Sequence, residues 1–115
     1  MRTYPLPLGN DVLYLLLALD RGPRHGYALL REVEAVSGGE VRILTGTLYR
    51  RLRRMLDDGL IEEVPAPAGE ASADERRRYY AITTFGREVA SAEVRRMQGV
   101  VRAAAGRLGG RPRTA

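Results

Sequence analysis

The chain holds 115 residues, 44% of them hydrophobic and 29% charged, and carries a formal charge of +5 at neutral pH. That is one domain's worth of chain, enough for a modest core, and its composition is neither disordered nor membrane-like. With no cysteine and a single histidine, His25, it offers no disulfide, thiolate nucleophile, zinc ribbon or iron–sulfur cluster.

Residues 1–9 contain two prolines and a glycine and read as a flexible N-terminal arm. Asn10 suits the N-cap of a first helix, Asp11 to Asp20, apolar nearly all round and therefore expected to be buried. Arg21-Gly22-Pro23 stops it. A second helix, Gly26 to Val36, carries an apolar stripe of Leu29, Leu30, Val33 and Val36, and Ser37-Gly38-Gly39 ends it. Val41 to Ile43 reads as a short extended piece. Thr45 is the expected N-cap of a third helix reaching Asp58, with a core stripe of Leu48, Leu52, Met55 and Leu56. Gly59 closes it.

Leu60 to Val64 and Arg76 to Thr83 read as two strands of a hairpin around a Pro/Gly/Ala-rich loop, 65–74. A long last helix follows, to about Leu108, with apolar residues at Ala90, Val94, Met97, Val101, Ala104 and Leu108. Their alternating steps of four and three predict a seam against another helix. Gly109 to Ala115 is expected to be a disordered tail. Three helices, a hairpin and a long helix give a mainly α, α+β fold. It is a winged helix-turn-helix over 10–83, followed by a C-terminal dimerisation helix over 84–108.

All 19 basic residues are arginine, and the pI near 10.2 suits a polyanionic partner such as nucleic acid. On a wheel of about 100° per residue, Arg50, Arg53 and Arg54 fall opposite the core stripe of the third helix. From Arg42 to Met55 stand five arginines and no acid, a local charge equal to that of the whole chain. Such a face can enter a DNA major groove, where arginine binds guanine or phosphate. Thr45 and Thr47, at the helix start, are placed for phosphate or base edges. The competing reading is a solvated charged face. In the hairpin, Tyr80 and Ile82 are expected inward. Arg76 and Arg77 are expected along the DNA backbone, unless they pair with Glu70, Asp74 and Glu75.

His25-Gly26-Tyr27, Gly46-Thr47-Leu48-Tyr49-Arg50-Arg51-Leu52, Asp58-Gly59-Leu60-Ile61, and Arg78-Tyr79-Tyr80-Ala81-Ile82-Thr83 with Gly86 occur in that order. As a set they resemble the PadR family of bacterial transcriptional regulators over about Leu8 to Gly86. The single last helix is similar to the family's short subfamily. The resemblance implies a homodimer, usually a repressor, on a two-fold symmetric operator, paired mainly through the last helix. It carries DNA contact onto Thr47, Tyr49 and Arg50, and a phosphate contact onto the Tyr27 hydroxyl. Both tyrosines have a packing alternative. Some relatives stack flat drugs on a large aromatic of the last helix. Here Met97 stands near that place, and methionine stacks poorly, which favours seam packing.

No set of residues assembles into a catalytic site, and neither a cofactor nor a metal site is expected. A winged helix that binds RNA or protein is the alternative to operator DNA, since fold alone does not fix function. A small apolar effector would have to wedge between the first and last helices, at Leu13, Tyr14, Val94 and Met97. The longest apolar run, Val12 to Leu19, is too short to span a membrane. No secretory leader pattern appears, so a cytoplasmic location is expected.

Overall fold

The computed structural model describes residues 2–67 and 78–109. The elements run α1 (Asn10–Ala18), β1 (Arg24–His25), α2 (Gly26–Val36), α3 (Thr45–Asp57), β2 (Ile61–Val64), β3 (Tyr79–Ile82) and α4 (Thr84–Arg107). This is an α+β winged helix with a long final helix. α1 lies against both α2 and α4, which is why it is apolar nearly all round. Leu15 and Leu16 of α1 meet Leu29 and Val33 of α2, Leu48, Leu52 and Met55 of α3, and Val89 of α4 in one core.

The sheet holds a strand that the sequence did not announce. β3 is central, paired antiparallel with β2 on one side and with β1 on the other (Arg24↔Tyr80, His25↔Tyr79). Two residues are too few to leave a periodic signature. Arg24 also donates to the Ala18 carbonyl at 2.8 Å, closing the end of α1. His25 leads directly into α2, its Nδ1 accepting the Ala28 amide as an N-cap.

Two expected helix starts move by one residue. Gly9, not Asn10, is extended and accepts the Leu13 amide. Leu44, not Thr45, does the same for Leu48. Neither helix has a side-chain cap, so the preferred capping residues sit just inside the helices. Residues 41–43 form no strand. The end of α3 is a Schellman turn: Gly59, at φ 77°, donates to Leu56, and Leu60 donates to Met55. Thr83 then caps α4, its Oγ1 accepting the Gly86 amide while its hydroxyl donates to the Gly59 carbonyl at 2.7 Å.

The N-terminal arm is docked, not loose. Leu8 is buried in the core, and its amide donates to Glu93, a carboxylate buried on α4 and held by Arg96. Tyr4 packs edge-on against Phe85, and the Arg2 guanidinium lies 3.9 Å from the same ring. Apolar and aromatic side chains at Tyr4 and Leu8 outweigh the irregular backbone that the prolines impose. The expected hairpin loop from residue 68, Arg76 and Arg77, and the tail beyond 109 lie outside the described residues.

Candidate nucleic-acid interface

α3 buries Leu48, Leu52 and Met55 and turns Thr45, Tyr49, Arg50, Arg53 and Arg54 outward, with Thr47 half-buried. The arginine face lies where the wheel places it, but it is not a bare positive surface. Arg53 and Arg54 reach one turn along to Asp57 and Asp58, at 3.9 and 3.1 Å. Arg51 binds Asp11 of α1 at 2.7 Å, and Arg42 faces Glu34 at 3.4 Å. Arg50 differs: among the described residues it pairs with no carboxylate and donates to Thr47 Oγ1 at 3.2 Å. The i,i+4 spacing of Arg53–Asp57 and Arg54–Asp58 was readable in the sequence. The Asp11 and Glu34 partners, from other elements, were not.

Asp58 is the meeting point of the arm and this face. It accepts from the Tyr4 hydroxyl at 2.5 Å and from Arg54, while Arg2 donates to its backbone carbonyl. The Tyr4 hydrogen bond, with Arg54 after it, holds the Asp58 carboxyl below its ordinary range. The same bond raises the Tyr4 hydroxyl. Nothing in the sequence pattern pointed to this joint.

Between α3 and the sheet runs an open groove of about 620 Å³, walled by Tyr27, Tyr49, Arg53, Arg78 and Tyr80. Tyr27 stands on the first turn of α2 and is well exposed. Tyr49 is half-exposed and lies across the start of α2, where a Cβ on Gly26 would stand 2.7 Å from its hydroxyl. It therefore packs and lines the groove at once. Tyr80 is buried, and its hydroxyl is pushed up by burial and by Glu63. Arg78 binds Glu63 at 3.0 Å.

A second concavity, also about 620 Å³, lies between α1 and α4 and is predominantly apolar. Leu13, Tyr14, Val94 and Met97 all line it, with Leu17 and Val101. Of the expected seam, Val94, Met97, Val101 and Leu108 are exposed and Ala104 is half-buried. Ala90 is a correction: it is buried in the chain's own core, where α4 packs against α1. Among the described residues no group of His, Asp or Glu could hold a metal ion, and no helix is long and apolar enough to cross a membrane.

No protein with a curated description matches this sequence. Among solved structures, a PadR family transcription regulator from hypervirulent Clostridium difficile superposes with a TM-score of 0.71 at 22% identity, over 87% of this chain and 99% of that one. A PadR family transcriptional regulator from Eggerthella lenta is 30% identical, with a TM-score of 0.60 over 84% of this chain and 79% of that one. Bacillus subtilis PadR in complex with operator DNA matches at 18% identity and a TM-score of 0.60, over 72% of this chain and 45% of that one. The sequence pattern of the transcriptional regulator PadR-like family matches residues 15–92, which span α2, α3, the sheet and the packed start of α4, and the chain belongs to that family.

Proposed function

We propose that this protein is a cytoplasmic DNA-binding transcriptional regulator, acting as a repressor on a two-fold symmetric operator. The observation that carries the reading is the outward face of α3. It presents Thr45, Arg50, Arg53 and Arg54 on the second helix of a helix-turn-helix, beside a groove that Arg78 and Tyr27 border. Family membership supports it, as does the operator complex of the Bacillus subtilis relative. Residues 10–83 form the DNA-binding unit and 84–108 the dimerisation helix. Two chains pair through the exposed Val94, Met97, Val101 and Leu108, setting two α3 helices about 34 Å apart, one DNA turn. By sequence, Arg76 and Arg77 are further candidates for contact with the DNA backbone.

The concavity between α1 and α4 supports a further regulatory reading. Its apolar wall suits a small apolar effector. Such a ligand lowers DNA affinity only if it binds the DNA-free arrangement more tightly.

Duplex DNA binding across a salt series, with selection from random sequence and a double-stranded RNA control, tests the proposal. A log–log salt slope of about −0.9 per phosphate neutralised, with enrichment of a symmetric site, is expected. Equal affinity for RNA, or no enriched site, overturns it. Arg50→Ala should weaken binding to the enriched site by about 1–3 kcal/mol if Arg50 reads a base. A loss of similar size on every sequence would place Arg50 on phosphate.

A further inference from the structure

Leu44 is 77% exposed, although it immediately precedes the helix that carries the arginine face. It is the N-cap of α3, and leucine is among the poorest residues there, because it has no oxygen to accept a free helical N–H. α3 accordingly starts with no side-chain cap. The Leu44 side chain thus contributes nothing to the core and nothing to the helix end, where only its backbone carbonyl serves. Most other exposed large apolar side chains have a neighbourhood that accounts for them. Leu17, Val94, Met97 and Val101 wall the α1–α4 concavity, and Tyr27 and Tyr49 wall the groove beside α3.

What surrounds Leu44 is reading machinery. Thr45 and Gly46 follow it, both exposed. The Arg50 guanidinium folds back over this first turn: it donates to Thr47 Oγ1, and its Nη1 would lie 3.7 Å from a Cβ on Gly46. The N-terminal residues of a recognition helix are those that meet base edges in the major groove. On those edges the apolar feature is the thymine methyl, which apolar side chains contact.

We infer that Leu44 is a specificity-determining residue whose side chain packs on a thymine methyl in the major groove, beside the point where Arg50 meets the DNA. The inference rests on the DNA-binding reading above and adds a sequence to it. Each half-site of the enriched sequence accordingly carries a thymine at a fixed position.

The test uses the full chain, the duplex enriched from random sequence, and copies of that duplex with single thymines replaced by deoxyuridine, which removes only the methyl. For the native protein, one such replacement per half-site should cost about fourfold in affinity, the effect of one apolar carbon leaving water. Leu44→Ser should bind the thymine duplex correspondingly less well and be indifferent to deoxyuridine at that position. Its melting temperature should be equal or higher, since serine caps the helix. Affinity unchanged by deoxyuridine at every thymine overturns the inference. So does an effect that Leu44→Ser retains in full. A protein that enriches no sequence overturns the DNA-binding reading itself, a result distinct from an enriched site indifferent to the methyl.

Discussion

At Gly86 the first turn of α4 passes so close to the turn that ends α3 that a Cβ would overlap the Leu60 carbonyl oxygen. Backbone cannot swing aside, so Gly86→Ala should cost about 3 kcal/mol, the upper part of the range for overpacking, read as a lower urea midpoint. At Gly26 the obstacle is the Tyr49 hydroxyl, the far end of a side chain. Gly26→Ala should cost about 1 kcal/mol and act mainly by displacing Tyr49. Gly26→Ala combined with Tyr49→Leu should recover part of that loss, and an unchanged midpoint in the double variant would contradict the contact. Acid tests the Asp58 joint. Its carboxyl lies below the ordinary range because Tyr4 and Arg54 bind the charged form. The stability it adds is therefore complete above about pH 4, its unfolded range, and is lost as pH falls through the lower folded value. Tyr4→Phe should melt below the native protein at pH 7, and the gap should narrow toward pH 3.

The elements divide according to how much of their cause lies within themselves. α2 and α4 were legible to within a residue, because each has an apolar stripe of its own, and Ser37-Gly38-Gly39 marks the end of α2; that Thr83 caps α4 emerges only in the structure. Thr83→Ala should cost about 1–2 kcal/mol through loss of that cap, measured by chemical denaturation. A loss below half of that would mean the Gly86 amide finds water in its place. β1 was not legible, since its two residues are a strand only because Tyr79 and Tyr80 pair with them. The arm was misread for a related reason: its anchors, Asp58, Phe85 and Glu93, lie far away in sequence. The arginine face of α3 was legible as a face, being a matter of period. Its carboxylate partners were only half legible, because Asp11 and Glu34 come from other helices. Leu44 escaped notice because a single leucine before a helix reads as core until its exposure is seen.

At the scale of the whole molecule, the apolar residues that α4 leaves exposed, Val94, Met97, Val101 and Leu108, are what the proposed dimer would cover. Replacing Val94 and Val101 together by aspartate should give a monomer by sedimentation, with helical content kept and operator affinity sharply reduced. A double variant that still sediments as a dimer would move the seam elsewhere. The paired arginines have a consequence for how such a molecule travels. Arg42, Arg51, Arg53 and Arg54 carry their own counterions in the form of Glu34, Asp11, Asp57 and Asp58. If α3 meets DNA as proposed, random DNA must compete with these carboxylates before it gains an arginine, so the chain holds arbitrary sequence less tightly than its count of arginines suggests. On the DNA-binding reading proposed above, a correct site, which would also engage Arg50, repays the exchange. On that reading the acids around α3 act as a brake on indiscriminate adhesion, which raises the ratio of specific to random binding that counts among the many competing sites of a chromosome.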